Sequence, residues 1–163
     1  MYFNKFPKIL YDYSIGTNTN AVYVTDITRN IRFRRDVLAN VSVYDYYDIQ
    51  DGDTPDKIAE RVYGNSQYHW IIMLMNDRYD YLNDFPLTTY NLEKYIAQKY
   101  GSGTYDIHHY VNEDGFIVNS DYSGATSVSN YDYETSVNES KRRIKIVPKE
   151  LIDKILSDYD NLI

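Results

Sequence analysis

Tyr46-Tyr47-Asp48-Ile49-Gln50-Asp51-Gly52-Asp53-Thr54-Pro55 is the stretch whose reading decides the fold, together with Lys57–Gly64 and Trp70-Ile71-Ile72-Met73-Leu74-Met75-Asn76 just after it. Alternation puts Tyr47 and Ile49 on one side of an extended segment and Asp48 and Gln50 on the other. Asp51-Gly52 supplies a tight turn, because glycine tolerates the positive φ a corner demands. Thr54 stands where a helix N-cap is needed, and Pro55 suits the first helical position, whose amide has no intrahelical acceptor. Ile58, Ala59 and Val62 make one apolar stripe, and Gly64 ends the helix. A second helix from about Gln67 carries Ile71, Ile72, Leu74 and Met75 until Asn76 stops it.

This strand, turn and helix pair resembles the LysM module, a βααβ unit usually met in cell-wall-binding proteins. The resemblance lies in the aromatic-rich strand, Gly52-Asp53-Thr54, and a helix centred on Ile58-Ala59. A LysM requires a second strand paired with the first, and none follows Asn76 directly. The best match is Arg143-Ile144-Lys145-Ile146-Val147-Pro148, which alternates polar and apolar and stops at proline. The module is then discontinuous. Lengthening a connector from about 8 to about 65 residues adds only about 2 kcal/mol of closure entropy, and less if the insert is structured. The expected fold class is α+β: a discontinuous LysM-like βααβ core, a large α/β-hairpin insertion, an extended N-terminal arm and a C-terminal amphipathic helix. The expected parts are 1–43 (arm and strands), 44–76 plus 142–148 (core), 77–141 (inserted lobe) and 149–163 (C-terminal helix).

A chain of 163 residues is long enough to bury roughly two-thirds of its unfolded surface. Its net charge of −7 argues against general phosphate binding, where affinity comes from released counterions. The absence of cysteine excludes disulfides and thiolate metal sites. No stretch has an apolar signal core or the length of a membrane span. The expectation is a protein kept in the cytoplasm or packed into a particle assembled there. Its 20 tyrosines against one Trp fit half-buried positions in a small fold, and equally an interface-forming surface.

Outside the core, Phe3, Phe6, Ile9, Leu10 and Tyr11 form an apolar arm interrupted by Pro7. It lies on its own domain or docks on a neighbour. Ser14–Asn20 reads as a loop, and Ala21–Thr25 and Asn30–Phe33 as extended. In Arg29-Asn30-Ile31-Arg32-Phe33-Arg34-Arg35, alternation sets Arg32 and Arg34 opposite Ile31 and Phe33. A solvated strand face is the commonest cause, and guanidiniums aimed at a partner's carboxylates come next. Asp36–Asn40 adds a helical turn. In the insert, Thr88 or Thr89 caps a helix bearing Leu92, Tyr95, Ile96 and Tyr100, which Gly101 closes. Ile107–Val111 and Phe116–Asn119 form a hairpin across Asn112-Glu113-Asp114-Gly115. Ser120–Asn130 reads as a surface loop, and Tyr131-Asp132-Tyr133-Glu134 precedes a polar approach to the closing strand. Leu151, Ile152, Ile155, Leu156 and Tyr159 make the stripe of a final helix that caps its own domain or docks on another subunit.

No catalytic constellation emerges. His69 stands alone, and His108 and His109 are strand neighbours expected to point oppositely, a poor metal pair. Asp48, Asp51 and Asp53 belong to a turn and a helix start, where capping and the helix dipole account for them. No cofactor and no metal are expected. Candidate partner-contacting residues are Phe3, Phe6, Arg32, Arg34, Arg35, Tyr68, Trp70, Leu151 and Ile155.

Taken from end to end, the chain resembles the baseplate wedge protein 53 family of contractile-tailed, T-even-like bacteriophages. The resemblance is carried by Tyr2–Ile9, Asp26–Arg35, Tyr47–Pro55, Tyr63-Gly64, His69-Trp70 and Phe85-Pro86-Leu87. It continues through Ile107–Tyr110, Asn130–Glu134 and Asn138–Ile146, in order. It implies a non-enzymatic virion protein present in multiple copies, joining wedges around the tail hub. Its implied neighbours are other wedge proteins and the sheath-initiator or hub subunits, with no nucleic acid and no membrane. The rival reading, from the LysM signal alone, is a glycan-binding module of a cell-wall protein.

Overall fold

The computed structural model describes residues 3, 6–15, 18–28 and 44–162. Strand β1 (Lys8–Ile15) pairs antiparallel with β2 (Asn18–Thr25), in unbroken register from Lys8↔Thr25 to Ile15↔Asn18. Ser14-Ile15 and Asn18–Asn20, expected as loop, are therefore strand, and Gly16-Thr17 lie outside the described residues. Cross-strand pairs such as Ile9↔Val24 and Tyr11↔Val22 extend the ladder past Ser and Asn residues of low strand propensity. The readings of Asn30–Phe33, of Asp36–Asn40 and of the arginine run lie outside the described residues.

Next come β3 (Asp45–Asp48), α1 (Pro55–Tyr63), a 3₁₀ turn (Ser66–Tyr68) and α2 (His69–Met75). The insert contributes α3 (Tyr81–Asp84), α4 (Thr89–Tyr100), β4 (Ile107–Val111), β5 (Ile117–Val118), β6 (Thr126–Ser129) and α5 (Asn130–Ser140). The chain closes with β7 (Arg143–Ile146) and α6 (Ile152–Leu162). It is a mixed α+β protein. β7 returns to pair with β3, as the alternation of Arg143–Val147 predicts. The Ile49 N–H donates to the Arg142 carbonyl at 2.9 Å, and the Arg142 guanidinium donates back to the Ile49 carbonyl at 3.1 Å. Guanidinium and ammonium groups of β7 lie over tyrosine rings, Arg143 on Tyr46 at 4.4 Å and Lys145 on Tyr44 at 4.3 Å, a cation–π arrangement.

Two compact units result, one of Met1–Asp45, Pro55–Tyr79 and Lys145–Ile163, the other of Tyr46–Thr54 and Asp80–Ile144. In the first, Ile58, Ala59, Ile71, Ile72, Met75 and Val147 form the buried centre. Gly64 closes α1 at φ +75°, with its N–H on the Glu60 carbonyl. Burial pushes the Tyr63 phenol up to about 12, only partly offset by the Val147 N–H donated to its oxygen at 3.3 Å. Asn76 does more than stop a helix. Its amide donates to the Ile72 and Lys145 carbonyls at 2.8 and 2.7 Å and accepts the Lys145 N–H at 2.7 Å. One side chain thereby satisfies both backbone groups of a residue in β7.

The second unit buries Ile49, Phe85, Leu92, Ile96 and Ile144. Thr88 caps α4, accepting the Asn91 N–H, and Gly101 ends it at φ +55°, as the sequence requires. Of the loop expected at Ser120–Asn130, residues 120–125 lie outside helix and strand while Thr126–Ser129 form β6, and the polar approach expected before the closing strand is helix α5. It carries no apolar stripe, since its buried residues are Glu134 and Asn138, so hydrophobic periodicity could not reveal it. The legible signal was the cap: Ser129 Oγ accepts the Asp132 N–H and donates to the Asp132 carboxylate, a serine N-cap. Thr54 does not act as the N-cap its position suggests. Its hydroxyl is shut off from solvent with no hydrogen-bond partner among the described residues. Because a buried unpaired hydroxyl costs about 1–3 kcal/mol, Thr54→Val is expected to raise stability by about 1 kcal/mol. A denaturant midpoint at or below that of the parent chain would contradict this.

Candidate partner-binding surfaces

The hairpin β1–β2 is the most unusual surface. A sheet normally buries one face, yet both faces of this one expose apolar side chains. Alternation puts Ile9, Tyr11 and Tyr13 on one face, with the Tyr11 and Tyr13 rings stacked at 6.5 Å, and Leu10 on the other beside its cross-strand partner Tyr23. Leu10 is 59% and Tyr23 73% exposed, and Tyr11, Val22 and Ile27 are also exposed. Such a two-stranded ribbon is only marginally stable in water by itself. The sequence marked Ile9, Leu10 and Tyr11 as an apolar arm but missed Tyr23, whose partner strand was hidden by the supposed loop.

The nine candidate contact residues separate by burial. Phe6 and Trp70 lie in the first unit's own core, their rings 6.4 and 4.8 Å from that of buried Tyr159. Phe3 meets Phe6 edge-to-face at 5.3 Å and is half exposed. Tyr68, Leu151 and Ile155 are half-buried. Arg32, Arg34 and Arg35 fall outside the described residues.

In the second unit the polar groups are engaged structurally. Glu134, 6% exposed, accepts from Lys99 Nζ at 2.6 Å and Tyr100 Oη at 2.7 Å. Burial opposes its ionisation, but the hydrogen bonds from Lys99 and Tyr100 prevail and hold the carboxyl below its ordinary range. The same contact with Glu134 raises Lys99. A carboxyl depressed on folding contributes stability above its unfolded pKa and loses it as pH falls through the folded value. Glu134→Gln is therefore expected to cost about 1 kcal/mol at pH 7, modest because Lys99 is 44% exposed. Stability of the variant should fall less steeply than that of the parent in acid denaturation below about pH 4.5. Parallel acid profiles would contradict this assignment.

His108 and His109 do not point oppositely. The β4–β6 register shifts between Ile107 and His109, and this bulge re-aims a side chain. The two Nδ1 atoms meet at 2.8 Å, and His108 stacks on Tyr133 at 3.9 Å. Among the described residues no group of His, Asp and Glu is arranged to hold a metal ion, and no helix is long and apolar enough to cross a membrane. Asp51 accepts the N–H and hydroxyl of Thr89 at 3.1 and 3.2 Å, and Asp53 accepts the Gln50 N–H and Tyr47 hydroxyl. The turn carboxylates thus fasten backbone. Beside them lies a cleft of about 160 Å³ between Gly52–Thr54 and the insert residues Tyr81, Phe85 and Leu87, below the roughly 300–1,000 Å³ of ordinary ligand pockets.

Structural carboxylates, a small cleft and exposed apolar strands mark this as a protein organised for contact with other macromolecules. Residues 1–121 match the family described as base plate wedge protein 53. The chain belongs to that family and is a tail-baseplate component of a phage virion. It is similar to baseplate wedge protein gp53 of Enterobacteria phage T4, at 29% identity over 171 aligned positions covering 89% of this chain and 86% of that protein.

Proposed function

We propose that this chain is a non-enzymatic wedge subunit, present in multiple copies, that links wedge proteins around the tail hub. Sheath-initiator or hub subunits are further neighbours. In this reading the β3–β7 ladder with α1 and α2 is a LysM-like core interrupted by the insert, with the core at 44–76 plus 142–148, the inserted lobe at 77–141, and arm and C-terminal helix on either side. The hairpin β1–β2, exposing apolar side chains on both faces, is the observation that carries the proposal. A ribbon of that kind gains a stable setting by lying between neighbours, and several modest contacts on one body give high effective concentration in an assembly. Phe3, Tyr68, Leu151 and Ile155 add contact surface, Phe6 and Trp70 hold it from behind, and Arg32, Arg34 and Arg35 pair with carboxylates of a neighbour.

The rival reading, a peptidoglycan-binding module, is weakened by the small volume, about 160 Å³, of the cleft beside Gly52–Thr54, which insert residues line. Mixing purified chain with wedge proteins of the same phage and following sedimentation tests the proposal. Co-sedimentation with the wedge, and none with peptidoglycan sacculi, is expected; retention on sacculi without wedge binding would reverse the assignment.

A further inference from the structure

The three-stranded sheet of the second unit runs β5-β4-β6, so β5 is an edge. Tyr110↔Val118 and Val111↔Ile117 are the β4–β5 pairs, and the next residue pair continues the ladder on one side, the Phe116 carbonyl accepting the Asn112 N–H at 3.0 Å while the Phe116 N–H donates to the Asn112 side-chain Oδ1 at 2.9 Å. In an antiparallel ladder, backbone groups face the partner at alternate residues. Those of Ile117 therefore face outward, away from β4. Phe116 and Ile117 are 70% and 74% exposed, and Tyr122 is 52% exposed. Beside this edge an open groove of about 570 Å³ is lined by Ile117, Val118, Asn119, Asp121, Tyr122 and Ser123.

Charge singles out the same region. Residues 101–140 hold seven carboxylates and no Lys or Arg. The remaining 17 acidic side chains equal the chain's 17 Lys plus Arg, so the entire net charge of −7 belongs to this segment. Glu134 and Glu139 are paired with Lys99 and Arg142. Exposed Glu113 and Asp114 in the turn before β5, and Asp121 in the groove after it, flank the apolar edge with negative charge.

We propose that the β5 edge and its groove are a docking site for an extended, basic segment of another protein. The segment adds as a strand beside Ile117, sets apolar side chains against Phe116, Ile117 and Tyr122, and places Lys or Arg near Glu113, Asp114 and Asp121. An unpaired edge recruits a strand through main-chain hydrogen bonds. Flanking charge chooses the partner and speeds the encounter, and acidity of this sign repels nucleic acid and anionic membrane.

The test uses the full chain inside assembled baseplates, with a photo-crosslinking phenylalanine analogue at position 116 and, as control, at exposed Tyr90. Position 116 is expected to capture a wedge or hub peptide in which Lys or Arg flanks apolar residues, and Tyr90 is expected not to capture it. Ile117→Pro removes the outward N–H while leaving the β4 pairing, which an edge strand tolerates, and should lower the yield about tenfold. Asp114→Lys with Asp121→Lys should do the same, most strongly at low salt. Capture of an acidic peptide, capture of a second copy of this chain, or unchanged yield in both variants would overturn the inference. Particles that contain the chain but give no crosslink would also overturn it, while leaving the wedge-subunit role intact.

Discussion

Replacing Leu10 and Tyr23 together by threonine is expected to leave the chain folded and to weaken its association with the wedge about 100-fold or more. The two residues face each other across the β1–β2 ladder, 59% and 73% exposed. Losing them therefore sacrifices little burial in the isolated chain. Threonine keeps strand propensity, and exposed substitutions usually change stability by no more than about 0.5 kcal/mol. Apolar and aromatic anchors at the centre of an interface cost about 1–2 kcal/mol or more when truncated, and two of them make the hundredfold loss. Sedimentation with purified wedge proteins reads the affinity, and circular dichroism melting reads the fold. Full association by the double variant would remove the hairpin from the interface. A melting temperature far below that of the parent would instead assign these side chains an internal role.

The largest expected effect on stability is at Asn76. Its amide serves both backbone groups of Lys145 across a separation of 69 residues, so Asn76→Ala removes their partners while their surroundings remain part-buried. Each group left unsatisfied costs about 1–3 kcal/mol, and the summed loss is expected at about 2–4 kcal/mol in urea unfolding. Hydrogen exchange at the Lys145 amide should accelerate more than at the helix interior of α1, because the change acts first on the closing strand. A loss below about 1 kcal/mol, or uniform acceleration, would show that the β3–β7 ladder holds this strand without the side chain.

The elements of this fold differ in how far the sequence reveals them. The returning strand was readable in Arg143–Val147 because alternation followed by Pro148 leaves few other structures open to it. Helix α1, the pair around Trp70, helix α4 with its Thr88 cap, and the Gly115 hairpin were readable for the same reason: periodicity and punctuation are local. Helix α5 was not, because its inward face is Glu134 and Asn138, polar residues whose partners Lys99 and Leu87 belong to other segments. The bulge at His108 was hidden likewise, since register is a property of two strands rather than one. Phe6 and Trp70 looked like outward anchors because an aromatic side chain serves a core and an interface equally well.

By itself the sequence determined a mixed fold with a strand, turn and helix pair at its head, a chain without thiol chemistry, and membership of a structural family. The tertiary structure alone decided which aromatics face outward, which carboxylates are tied to backbone, and where a strand edge stands open. The division follows range. Capping, turn and amphipathic signals act over a few residues, whereas exposure and pairing depend on chain segments that meet only after folding.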